Sequence, residues 1–316
     1  MLRSSFPLLC LAFAALLPAQ EIPGLRVSLS TPRSLVAAGS QIDLVLLLQV
    51  DADTEVPADL LTGVRLAVTI DDKAGPKVTE AGKGGPVALT TGTRIERRLS
   101  FPVARLAPNV EANAVTPIAI AWEGLAGANC VVKIAPDASK IDLAALDPAK
   151  TQVVLVTNYG EMVVSFRPDK APKTVENFLQ LCKQGFYDGT KFHRVIRNFM
   201  IQGGDPNTRD DSKPETWGLG GPGTTVVAEF SDLKHLRGTL SMARGNDPNS
   251  AGSQFFLVHK DSPNLDGSYT AFGNLEKGAD VLDAIANVQC TGSAQAPRPV
   301  QPVILLSTVI LPVKKK

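Results

Sequence analysis

Between Ile22 and Ile134 the apolar residues come in short alternating or continuous runs: RVSLS, QIDLVLLLQVD, RLAVTID, RIERRLSFPV, TPIAIAWEG and NCVVKIA. A period of two puts one face of an extended strand on a core, and the breakers AAGS, KAGP, GKGGP and APN separate one run from the next. No helical period intervenes, so residues 22–134 are predicted to form an antiparallel β-sandwich. After Lys150 the pattern changes. TQVVLVTNYGEMVVSF reads as two strands around a turn at Asn158, Tyr159 and Gly160. In APKTVENFLQLCKQG the apolar positions Val175, Phe178, Leu179 and Cys182 share one helical face, with Pro172 at the first helical position and Gly185 past the end. A second helical pattern over Ala279–Val288 turns Val281, Leu282, Ile285 and Val288 inward, and PVILLSTVIL supplies a final strand. Many strands, two helices and no alternating βαβ rhythm predict a closed antiparallel barrel capped by helices. PDASKIDLAALDPAK has no sustained period, which places a linker at 135–150 between the two parts.

The chain is 316 residues long with a formal charge of +1, long enough for two cores and without the basic field that would track a phosphate backbone. Nucleic acid is not an expected partner. The terminal Lys314–Lys316 run reads as a solvated end. At the other end Arg3 precedes an apolar run from Phe6 to Leu17, too short to span a bilayer, followed by Pro18, Ala19 and Gln20. This is the pattern of a signal peptide, residues 1–19, cleaved after Ala19. The alternative is an uncleaved anchor. Export to a periplasm or to the medium is expected, with no membrane span after cleavage. Removing the signal leaves Cys130, Cys182 and Cys290, an odd number, so at least one thiol stays free unless chains pair. No Cys, His or carboxylate spacing suggests a metal site, and no cofactor is expected. With only Cys130 in the first part, the cysteine pair of antibody-type domains is missing, and the immunoglobulin-like label for 22–134 rests on strand count and turn spacing. A spacer, docking or binding module is expected there, and the protein is expected to be a monomer.

FHRVIRNFMIQGGD, Phe192–Asp205, reads as a hairpin whose alternation breaks at Arg197 and Asn198. A loop over 197–199 sets Arg194 opposite Gln202 and Ile196 opposite Met200 on one face; a loop shorter by one residue sets His193 against Gln202. The first register is favoured because it places a fork-shaped donor beside an amide that can hold it. Arg194 then either works on a substrate or lies in a surface ion pair. His193 falls on the opposite face and is expected to be structural. The glycine clusters at Gly203–Gly204 and Gly220–Gly223 read as turns, since neither opens a helix with a P-loop lysine.

Three further stretches carry more specific information: GGPGTTVVAEF, GTLSMARGNDPNSAGSQFFLVH and NLDGSYTAFGNL. Together with FYDGTKFHRVIRNFMIQGGDPN they resemble, in order, the cyclophilin family of peptidyl-prolyl isomerases over residues 151–311. MARGNDPNSAGSQFF and the insertion NTRDDSKPETWGLGG are similar to its bacterial-type branch. The resemblance implies an eight-stranded closed barrel for 151–316 and isomerisation of X-Pro bonds in proline-containing polypeptides. It implies that Arg194 is the principal catalytic residue, oriented by Gln202. It assigns Phe199, Met200, Ala243, Gln254, Phe256, Leu265 and Tyr269 to the substrate groove. Asn264 stands where an aromatic often precedes LDG, so strong cyclosporin binding is not expected.

These residue types suit the reaction. Rotation about an X-Pro bond breaks amide resonance over a barrier of about 20 kcal/mol but cleaves nothing, so neither nucleophile nor metal is required. A fixed, always protonated donor can stabilise the twisted amide, and an apolar pocket can hold the proline ring. The expected function is folding assistance to exported proteins. The alternative is a catalytically weak peptide-binding scaffold whose N-terminal domain sets the partner.

Overall fold

The computed structural model describes residues 21–32, 35–38, 40–70, 73–108 and 115–312. The expected signal peptide lies outside the described residues. Among those described, two compact units meet in sequence between Ala135 and Pro136. No described helix is long and apolar enough to cross a membrane.

The first unit holds a three-stranded sheet, in the order Leu25–Ser30, Gln41–Val50, Arg94–Pro102. A five-stranded sheet runs Leu35–Ala37, Asn129–Ala135, Thr116–Trp122, Val64–Ile70, Lys73–Glu80. The alternation in QIDLVLLLQV is realised strictly: Ile42, Leu44, Leu46, Leu48 and Val50 are buried. The first four share a core with Leu66, Val68, Ile118, Ile120, Val132 and Ile134 from the other sheet. The expectation of a purely antiparallel domain is corrected at one pair, because Leu35–Ala37 lies parallel to Asn129–Ala135. Two short helices also appear, Ala58–Thr62 and Val103–Leu106, each directly after a proline, Pro57 and Pro102. Proline's fixed φ suits the entry to a helix and its missing N–H costs nothing there.

In the second unit nine strands form one sheet, ordered Thr190–Lys191, Ile304–Leu311, Gln152–Thr157, Gly160–Phe166, Ala271–Lys277, Thr239–Met242, Phe255–Val258, Met200–Gly203, Arg194–Ile196, while Cys290–Thr291 and Arg298–Pro299 pair separately. Its two edge strands are separated in sequence by only Phe192 and His193, so the sheet curls until its edges come close. No ladder joins those edges, and the eight-stranded closed barrel becomes an open, nine-stranded half-barrel. The helix Pro172–Lys183 buries Val175, Phe178, Leu179 and Cys182, the face its spacing predicts. Phe178 is the hub of the core, with ring centroids of Phe166, Tyr187, Phe255 and Phe272 at 5.7, 5.1, 5.5 and 5.3 Å. The second helix is Ala279–Ala286; Gly278 at its N-terminus has φ 91°, and a Cβ there would lie 2.4 Å from the Glu161 carbonyl oxygen. The expected linker is packed, since Ile141 and Leu146, which directly follow the short 3₁₀ turns Ala138–Lys140 and Leu143–Ala145, are buried in this core.

Candidate active site

Pairing of the hairpin strands sets Arg194 against Gln202, Val195 against Ile201 and Ile196 against Met200, the register of a loop over 197–199. On the next strand Gln202 faces Phe256, and Phe256 faces Ser241. One row across four strands therefore reads Arg194, Gln202, Phe256, Ser241, with side chains on one face. Asn198, at φ 60°, makes the loop possible, and its N–H donates to His259 Nδ1 at 3.0 Å. Because Nδ1 accepts, the ring proton sits on Nε2, which donates to Asp283 Oδ1 at 3.0 Å. The His259 backbone N–H donates to the Phe199 carbonyl at 2.8 Å, so the same residue also fixes where Phe199 begins.

A pocket of about 150 Å³ opens on this face, lined by Arg194, Phe199, Met200, Gln202, Ala243, Arg244, Phe256, Leu265 and Tyr269. Its apolar floor is Met200, Phe256 and Leu265, all buried, with Phe199, Ala243 and Tyr269 packed against them. Eight of these lining residues are among those expected from the sequence; Arg244 is the addition. Gln254 is placed differently, in the wall of an adjoining depression of about 580 Å³ shared with Gln202, Ala243 and Arg244. Asn264 is exposed and does not line the smaller pocket.

Arg194 is half-buried, and desolvation lowers its pKa from the ordinary arginine value. Nε donates to the Gln295 carbonyl at 2.7 Å, and Nη1 donates to Gln202 Oε1 at 3.2 Å. Both N–H bonds of Nη2 have no partner among the described residues. The amides behind Arg194 form a relay whose direction is set by carbonyls. Gln254 Nε2 donates to the Gly218 and Gly220 carbonyls at 3.0 and 2.9 Å, so its Oε1 must accept, which it does from Gln202 Nε2 at 3.0 Å. Gln202 therefore turns its oxygen to Arg194.

His235 was missed as a site-supporting residue. Its fully buried side chain stacks on Phe256, with centroids 6.0 Å apart and planes 18° from parallel. Asp266 Oδ1 at 3.1 Å and Ser241 Oγ at 3.0 Å hold its two ring nitrogens. The ladder sets Ser241 beside Phe256, but nothing local in the sequence marked His235 as its partner. His193 is buried away from the pocket; its Nδ1 has no hydrogen-bond partner among the described residues, and burial pushes its pKa down to about 4. Among the described residues no group of His, Cys, Asp or Glu is arranged to hold a metal ion.

Residues 152–310 match the family described as cyclophilin type peptidyl-prolyl cis-trans isomerase/CLD. The chain belongs to this family. A peptidyl-prolyl cis-trans isomerase of Arabidopsis thaliana is 44% identical over 151 residues, which is 46% of this chain and 88% of that protein. A Cryptococcus neoformans protein named peptidyl-prolyl cis-trans isomerase-like 2 is 40% identical over 164 residues, 52% of this chain, and the matched part spans only 28% of that relative. Among solved structures, a cyclophilin of Cryptosporidium parvum is 35% identical and matches with a TM-score of 0.45, covering 50% of this chain and 98% of that one. The cyclophilin match, residues 152–310, lies wholly within the second unit, and no family is assigned to the first.

Proposed function

We propose that this cyclophilin catalyses rotation about X-Pro bonds in polypeptides, with Arg194 as the donor to the twisted amide. The observation that carries the reading is the pair of unpartnered Nη2 N–H bonds on a guanidinium whose other nitrogens are tied to Gln295 and Gln202, beside an apolar floor of Met200, Phe256 and Leu265. In the planar ground state the amide nitrogen's lone pair is delocalised and accepts little. As the bond twists, the nitrogen becomes pyramidal and its lone pair localises, so a fixed N–H donor binds the transition state more strongly than either planar isomer. The apolar floor holds the proline ring while the acyl side turns. Each charge-assisted hydrogen bond of this kind contributes about 1.5–3 kcal/mol, and no proton needs to leave arginine for it to act.

The test is isomerisation of short X-Pro peptides by the full chain. Acceleration that depends on Arg194 supports the reading. Peptide binding with no change in isomerisation rate would leave only a peptide-holding scaffold.

The reading extends to location. Arg3, the apolar run Phe6–Leu17 and the Pro18-Ala19-Gln20 junction support export and folding assistance to exported proteins. N-terminal sequencing of the mature protein from the extracytoplasmic fraction should begin at Gln20. A chain retained in the cytoplasm and starting at Met1 would refute export.

A further inference from the structure

The pocket and the adjoining depression are lined by two charged side chains, Arg194 and Arg244, and by no Asp, Glu, Lys or His. Arg244 lines both, so it stands at the ridge a bound peptide must cross to occupy the two together. Its guanidinium is held rigidly but only by neutral groups. Nε and Nη2 donate to the Ser268 carbonyl at 3.1 and 3.0 Å, and Nη1 donates to the Gly245 and Asn246 carbonyls at 2.8 and 3.4 Å. The cation also lies 4.8 Å above the Tyr269 ring. These bonds use at most four of its five N–H groups, leaving one on Nη2. Among the described residues no carboxylate lies within ion-pair distance of Arg244 or Arg194, although most other described arginines have such a partner.

We infer that Arg244 is a specificity-determining residue that selects X-Pro substrates carrying a carboxylate close to the proline. The inference rests on the proposed isomerase reading of the same site. Two guanidinium groups face one small concave surface with no compensating negative charge. Immobilising a cation on neutral carbonyls fixes its place without cancelling its field, and a partly desolvated cleft screens that field less than open solvent does. A peptide carboxylate arriving at the ridge meets a preformed partner, while a peptide ammonium is repelled. The side chain that benefits is one within a few residues of the proline, since the ridge borders the pocket that takes the ring.

The experiment uses the full chain and peptide sets built on one X-Pro core, in which a single residue near the proline, on either side, is Glu, Gln or Lys. Both binding, by calorimetry or NMR titration, and kcat/KM are read for each peptide. At one position or more the Glu peptide should exceed the Gln peptide by about threefold to tenfold, with Lys below Gln, and the ratio should shrink as salt is raised. Arg244→Gln should bring the Glu/Gln ratio toward one at that position, and Arg244→Lys, which keeps the charge, should retain most of it. A Glu/Gln ratio within twofold at every position, or one that survives Arg244→Gln, overturns the inference. Ready turnover of the Gln peptides with no charge preference removes this inference and leaves the isomerase reading standing. A binding preference lost in Arg244→Gln, without turnover of any peptide, does the reverse. Failure of every peptide to bind removes both.

Discussion

Replacing Arg194 by Ala separates the donor's role in the transition state from its role in the fold. The substitution removes the two Nη2 N–H bonds proposed to reach the twisted amide. At about 1.5–3 kcal/mol for a charge-assisted bond, a loss near 3 kcal/mol in transition-state stabilisation corresponds to roughly a 150-fold fall in kcat/KM. The cost to the fold is much smaller. The Gln295 carbonyl lies in an exposed contact with Arg194, so water can replace the donor, and Gln202 keeps its bond to Gln254 at 3.0 Å. A loss of about 1 kcal/mol, and a Tm lower by about 2–4 °C, is expected for a unit of this size. Arg194→Lys should recover less than tenfold of the lost rate. One ammonium cannot bond Gln295, Gln202 and the substrate in the fixed plane that the guanidinium supplies. The assay is catalysed isomerisation of an X-Pro peptide, with circular dichroism and thermal melts as the fold control. A folded Arg194→Ala protein that keeps kcat/KM within about fivefold of the parent would refute the donor assignment, since one ordinary neutral hydrogen bond would cover that difference.

Gln254→Leu should lower kcat by about five- to tenfold with little change in Tm, because Gln202 then loses the bond that orients its oxygen toward Arg194; an unaltered kcat would show that the relay does not position the arginine. Burial holds the folded pKa of His193 at about 4, below the ordinary histidine value of 6.5, so the unfolded chain takes up the proton first as the pH falls. Its contribution is therefore intact above about pH 6.5 and lost on going down to about pH 4, by up to about 3 kcal/mol. Urea titrations at pH 7.5 and 4.5 should show this drop diminished in His193→Leu, and an undiminished drop would assign it to other groups. Gly278→Ala forces a Cβ to 2.4 Å from the Glu161 carbonyl at a φ of 91°, so a loss of about 3 kcal/mol and a melting point lower by several degrees are expected. An unchanged melt would mean that the helix Ala279–Ala286 docks less tightly than its backbone contacts imply.

What could be read from the residues differs in kind from what could not. The period of two in QIDLVLLLQV and the 3.6-residue spacing of Val175, Phe178, Leu179 and Cys182 specify which face is buried, and those faces are buried. Periodicity carries no information about which strands are neighbours. The parallel pairing of Leu35–Ala37 and the open edges at Thr190–Lys191 and Arg194–Ile196 therefore had no local signature. The hairpin register was legible because loop length and alternation constrain each other.

The same distinction holds within the site. Arg194, Gln202, Met200 and Phe256 announce themselves as residue types on one face, but the direction of the amide relay does not. It is imposed by the carbonyls of Gly218 and Gly220, and Arg194 is tied by the carbonyl of Gln295. Every residue has such a carbonyl, so side-chain identity could not disclose these. This explains why Gln254 was placed in the groove itself: its amide suits a peptide, yet its two donors are already committed to the glycine-rich loop. It also explains why Arg244 was not placed in the groove. Its residue type is unexceptional, and what distinguishes it is a place in the lining of two adjoining depressions that include no carboxylate, a property of the folded surface and not of the string SMAR. Substitutions at Gly218 or Gly220 that move those carbonyls should therefore slow turnover through Gln254, Gln202 and Arg194 in sequence, with no change in the apolar floor that binds proline.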